Sequence, residues 1–163
     1  MLENPHTHWR IEPAVGWIRG LSYDLAPKQL DLMIHNFGPV SAVKRFRANQ
    51  CGSYKAEDIV TGIILFQKNI LFSGTWCISI DKGSEEDCCN VFGSTGKISF
   101  PIFGDTITVQ SGRKQQLITF KHPEHIQQPM IEKVTRYFSM QGENPCPAEE
   151  AIASIELMKS FAG

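Results

Sequence analysis

Asp24, Lys28 and Asp31 place a carboxylate, an ammonium and a second carboxylate within eight residues of one another. A carboxylate accepts a hydrogen bond from a hydroxyl and an ammonium donates one, so such a pair can orient a diol. On the residues alone, Lys28 reads as one half of an ion pair with Asp24 or Asp31.

Other reactive residues are less closely grouped. His6-Thr-His8-Trp9-Arg10 is polar and aromatic together. It reads either as a surface segment with Trp9 tucked against the core or as a flap over a pocket, with Arg10 contacting an anion or a hydroxyl. His6 and His8 have no companion cysteine or acidic cluster, so no metal site is expected. His122 and His125 lie in a link before a helix and read as a solvated turn. Ser22 and Ser94 lack a placed histidine partner for nucleophilic work. Cys88 and Cys89 read as strand packing.

The elements that must position these groups begin with residues 23–39. Leu30, Met33, Ile34 and Phe37 recur at the spacing of one helix face. Pro27 suits a first turn, with Asp24 just before it, and Gly38-Pro39 supplies a stop. Residues 40–50 then read as a strand carrying Arg45 and Arg47. Residues 57–67 and 70–80 read as a hairpin turning at Lys68-Asn69. Shorter strands follow at 87–92, 97–103, 105–110 and 114–120, with Pro101 marking an edge or a bulge. A helix opens at Pro129, with Met130, Val134, Tyr137 and Phe138 as its buried stripe and Gly142 as its end. A last helix follows Pro147, with Ala151, Ile155, Met158 and Ala162 as its apolar face. No helix between the strands is long enough for a parallel crossover. The fold class is therefore α+β: an open, mainly antiparallel β-sheet with helices packed on one face.

Composition sets the outer limits. The chain has 163 residues, enough for one domain with a core, and 16 basic against 17 acidic side chains, a net charge of −1. No strong field favours nucleic acid or an anionic membrane as a partner. No apolar run spans a bilayer, and the residues after Met1 are polar rather than a signal peptide. Five cysteines without a Cys-x-x-Cys pair fit a reducing cytoplasm. Ile59, Val60, Ile63, Ile64, Leu65 and Phe66 are apolar on both faces of one strand. Helices cover one face, so the other is expected either to join a second copy in a homodimer or homotetramer or to be covered by the N-terminal segment.

In this order, four motifs resemble the C-terminal domain of the glucose–fructose oxidoreductase/inositol dehydrogenase family (Gfo/Idh/MocA). Tyr23-Asp-Leu-Ala-Pro-Lys-Gln-Leu-Asp31 resembles the family's Asp-x-Gly-x-His-x-x-Asp helix start. Ala56-Glu-Asp58, followed by an apolar strand, a hairpin and Gly74-Thr-Trp76, resembles its next two strands. Val91-Phe-Gly-Ser-Thr-Gly-Lys-Ile98 resembles its following turn and strand, and His122-Pro-Glu124 to Phe161 its closing helices.

The resemblance implies that residues 1–163 are one C-terminal domain for substrate binding and oligomerisation. The N-terminal Rossmann domain lies outside the chain. NAD or NADP would be bound mainly by that domain, since no G-x-G-x-x-G and no Glu-Lys-Pro occurs here. Cofactor-binding residues are therefore expected to be none in this chain, which alone should be inactive. The implied activity of the parent is NAD(P)-dependent oxidation of a sugar or polyol. Asp24, Arg10 and Trp9 are the expected substrate contacts. Lys28 falls at the position of the family's histidine base, and Ala26 at that of its glycine, so the resemblance implies a catalytic Lys28, a base if burial or a nearby cation disfavours its ammonium, beside the ion-pair reading with Asp24 or Asp31. The alternative is a non-catalytic assembly or carbohydrate-binding module derived from the same family.

Overall fold

The computed structural model describes residues 22–53 and 55–162, with side chains within 26–160. Trp9, Arg10, His6 and His8 lie outside the described residues, and so does the side chain of Asp24. The chain forms two compact units. One holds the described residues up to Ser84 together with those from Pro147 onward; the other is Glu85–Cys146. The fold is α+β, and among the described residues seven strands form two open, antiparallel sheets rather than a single one.

In the first unit, helix α1 (Ser22–Phe37) is followed by strands β1 (Val40–Ala48), β2 (Ile59–Phe66) and β3 (Leu71–Cys77), paired in the order β1-β2-β3. Two sequence expectations need correction here. Pro27 sits in the interior of α1, not in its first turn, and Asp24 is a helical residue rather than one preceding the helix. A proline inside a helix forfeits its own N–H bond, here the one to the Tyr23 carbonyl, and its ring crowds that same carbonyl, a cost that the packing of α1 has to offset. The far end behaves as expected. Gly38 takes φ +85° and its N–H reaches the Ile34 carbonyl at 2.8 Å, a left-handed stop.

Strand β2 is the centre of this unit. Val60, Gly62, Ile64 and Phe66 are buried, and the residues between them are not, the period of two of a strand covered on one face. On α1, Ala26, Leu30 and Met33 are buried against that face. Phe37 of α1 meets Phe66 with ring centroids 5.7 Å apart. Full burial of a side chain such as Leu30 or Ile64 contributes roughly 1.5–3 kcal/mol. The hairpin β2–β3 closes at Lys68 and Asn69, both in the left-handed region at φ 67° and 59°, as a tight twisted turn demands.

Helix α3 (Ala148–Ala162) completes the unit by packing on α1 and β1. Its buried positions are Ser154, Leu157 and Met158, and Ile155 is half exposed. The expected face of Ala151, Ile155 and Met158 is thus rotated. The reason is a polar contact: Ser154 Oγ donates to Asp31 Oδ1 of α1 and turns that side of α3 inward.

The second unit runs β4 (Cys89–Gly93), β5 (Gly96–Phe100), β6 (Thr106–Ser111), β7 (Lys114–Thr119) and α2 (Gln128–Phe138), with sheet order β4-β5-β6-β7. Asp87 precedes β4 and caps the bend after β5. Its two carboxylate oxygens accept from the Ile102 and Phe103 amides at 2.9 and 2.8 Å. β5 therefore ends at Phe100, before Pro101. The stripe assigned to α2 is not buried: Met130 and Phe138 are 53% and 77% exposed, and no residue of the helix is buried. Its end lies earlier than Gly142. Met140 takes the left-handed position at φ 58°, with its N–H on the Tyr137 carbonyl and the Gln141 N–H on the Arg136 carbonyl. That is the paired C-terminal closure usually built on glycine.

Candidate functional site

Helix α1 carries the residues with chemistry. Its backbone places positions 24, 28 and 31 at i, i+4 and i+7, on one stripe of the helix. This is adjacent to the buried stripe of Ala26, Leu30 and Met33, so packing of the apolar stripe fixes where the polar one emerges. Lys28 and Asp31 are exposed. Asp31 is held by Ser154 of α3, a partner 123 residues away that no local pattern reveals.

The sheet side of α1 is also fixed. Trp76 Nε1 on β3 donates to Gln29 Oε1, the residue next to Lys28. Neither Gln29 nor Ser154 stood out in the sequence, because an isolated Gln or Ser in a helix carries no periodic signal. Trp76 lies on the less exposed face of β3, where Phe72, Gly74 and Trp76 alternate with the exposed Leu71, Ser73, Thr75 and Cys77.

A second organised spot lies between β1 and β2. Asp58 is fully buried, and its oxygens accept from the Gln50 and Cys51 amides at 2.8 and 2.7 Å. Burial pushes its carboxyl up, but the bonds from Gln50, Cys51 and the Ser79 side chain together outweigh it and hold it below the usual range. The Asp58 carbonyl also accepts from the Ile78 amide and its own N–H reaches the Ala48 carbonyl. This is a structural clamp joining β1, β2 and the end of β3, with every hydrogen bond directed inward.

The remaining sequence candidates do not gather. Among the described residues, no three His, Cys, Asp or Glu side chains come together as a metal site. His122 and His125 are exposed in the link before α2. Burial, then the neighbouring Cys88 and Asp87, push the Cys89 thiol up, which disfavours a reactive thiolate there. Among the described residues every strand pairing is antiparallel, so they do not build the βαβ unit that seats a dinucleotide and do not fit one by themselves. None of the described helices is long and apolar enough to cross a membrane.

An exposed ammonium and a carboxylate position one turn apart, at the head of a helix seated on an antiparallel sheet, suit a hydroxyl-bearing ligand. The sequence profile of the GFO/IDH/MocA C-terminal domain matches residues 2–99, more than half of the chain. The chain belongs to the GFO/IDH/MocA C-terminal domain family. The GFO/IDH/MocA match runs through α1 to β5, the part that carries Asp24, Lys28 and Trp76.

Among whole proteins, the chain is 36% identical over 167 residues to Oxidoreductase P35 of Formosa agariphila, covering all of the chain and 49% of that protein. Its fold is similar to that of aldose-aldose oxidoreductase from Caulobacter crescentus, a structure complexed with glycerol. The TM-score is 0.80 at 14% identity, over 97% of this chain and 48% of that one. It is also similar to biliverdin reductase from Synechocystis, a complex with biliverdin and NADP+. There the TM-score is 0.74 at 15% identity, over 96% of this chain and 49% of that one. The chain thus spans about half the length of the relatives it matches.

Proposed function

We propose that this chain is the substrate-binding and assembly half of an NAD(P)-dependent oxidoreductase acting on a sugar or polyol. The observation that carries the reading is the placement of Asp24 and Lys28 one helical turn apart on α1, in a chain of the GFO/IDH/MocA C-terminal domain family. The nicotinamide cofactor, held by a partner domain, supplies the hydride chemistry. This chain's own part is binding and orientation. Asp24 accepts from one substrate hydroxyl and Lys28 donates to its neighbour. Lys28 is exposed, and on this reading its role is to hold the hydroxyl. Trp9 and Arg10 are further substrate contacts on this reading.

The assembly role rests on the uncovered face of the first sheet. Phe46, Ile63 and Leu71 are 79%, 50% and 68% exposed on it. The register places them beside Thr61, Lys44 and Leu65 on that same face. The buried Ile64 points the other way, into the core under α1, and is not part of it. An exposed apolar face of this composition, opposite the helices, suits a second copy of the same sheet.

The test is turnover by the full-length protein. A panel of D-glucose, D-xylose, myo-inositol and glycerol is offered with NAD+ and NADP+, and reduced nicotinamide is followed by absorbance. Turnover of at least one member that falls in Asp24→Asn supports the reading. A full-length protein that reduces neither cofactor with any of the four contradicts it.

A further inference from the structure

We propose that Trp76 is a positioning residue for the α1 site: its indole holds Gln29, and through Gln29 the part of the helix that carries Asp24 and Lys28. The inference rests on the functional reading of α1 and adds a residue on a different element to it.

Three features of the first unit support this role. The indole N–H of Trp76 donates to Gln29 Oε1, and both residues are half-buried. Gln29 directly follows Lys28, so a rotation of α1 that Gln29 resists is one that Lys28 cannot make. β3 is also built to aim the ring. A Cβ at position 74 would lie 2.9 Å from Trp76 Cη2 and 2.8 Å from Phe72 Cζ. Gly74 therefore leaves the space in which the two rings close over the strand, with centroids 6.4 Å apart. An aromatic-x-Gly-x-aromatic strand thus fixes the direction of the indole before it meets the helix.

The need for such a bond follows from the rest of the packing. Leu30 and Met33 hold α1 on the sheet through apolar contact, which is non-directional and tolerates a small slide or rotation. A hydrogen bond in a half-buried, low-dielectric setting is directional and removes that freedom. On the opposite side, Ser154 holds Asp31 from α3. The Trp76–Gln29 bond on one side and the Ser154–Asp31 bond on the other bracket Lys28.

The experiment uses the full-length protein with Trp76→Phe, which keeps a ring and loses the donor, Gln29→Leu, which loses the acceptor, and Gln29→Glu, which keeps an acceptor. Two readouts are taken: amide hydrogen exchange along α1, and kcat and KM for whichever of D-glucose, D-xylose, myo-inositol and glycerol the wild type oxidises. The expected result is exchange about tenfold faster in the first half of α1, and KM raised so that kcat/KM falls by about tenfold, in Trp76→Phe and Gln29→Leu. Gln29→Glu stays near wild type in both. Wild-type exchange in Trp76→Phe and Gln29→Leu, or faster exchange with wild-type kcat/KM, overturns the proposal. If the wild type oxidises none of the four, the functional reading fails. The exchange arm then decides the positioning claim alone: faster exchange rescued by Gln29→Glu supports it, and unchanged exchange overturns it.

Discussion

Asp58 and Asp87 each use both carboxylate oxygens on two successive backbone amides, one in each unit. Such charge-assisted bonds are worth about 1.5–3 kcal/mol each when one partner is removed. Asp58→Asn is therefore expected to lower the stability of the first unit by about 2–3 kcal/mol, measured as a shift in urea midpoint. The pH dependence has a definite sign. The folded carboxyl lies below its ordinary value, so its contribution is fully present above about pH 4 and is lost as pH falls through the folded value. The gap between wild type and Asp58→Asn should thus narrow in acid, and an equal gap at pH 7 and pH 3 contradicts the clamp. Lys28 makes a different prediction. As a hydroxyl donor, its replacement in Lys28→Met raises KM about tenfold in the full-length protein and leaves the shape of the kcat–pH profile intact. A lost limb of that profile would show lysine acting as the base.

At the scale of elements, the strands and their turns were the most legible. The Lys68-Asn69 hairpin, the Gly38-Pro39 stop and the alternation of β3 each depend on neighbours in sequence, so local pattern sufficed. The helices that misled did so through distant or costly contacts. α3 is rotated because Ser154 turns inward to reach Asp31, and a buried serine hides the stripe from a search for apolar residues. α2 has apolar residues at helical spacing, yet Met130 and Phe138 stay exposed; amphipathic spacing states which face is apolar, not that something covers it. Its left-handed closing residue is Met140 where glycine is the usual choice. A side chain in that region costs about 1–2 kcal/mol, offset in part by the greater unfolded freedom of glycine. Met140→Gly should therefore raise stability by about 0.5–1 kcal/mol, read from thermal melts of the full chain. A destabilised Met140→Gly would show that the Met140 side chain makes contacts that outweigh the strain.

At the scale of the whole molecule, the open sheet face and the head of α1 are separate surfaces with separate tests. Ile63→Lys puts a charge beside Lys44 on the uncovered face without touching the core, so light scattering should show a folded monomer in place of a dimer or tetramer. Ile64→Lys would instead bury that charge under α1 and unfold the unit. The candidate site was legible only in part: the Asp24–Lys28 spacing is local, whereas the Gln29–Trp76 and Asp31–Ser154 contacts form only when β3 and α3 are brought against α1. The central claim is that the head of α1 holds the hydroxyls of a sugar or polyol. The most direct measurement is kcat/KM of full-length Asp24→Asn, with NAD+ or NADP+, on the substrate that the wild type oxidises best. The expected result is a fall of about tenfold or more, about 1.4 kcal/mol of lost transition-state binding. A variant with wild-type kcat/KM on that substrate would contradict it.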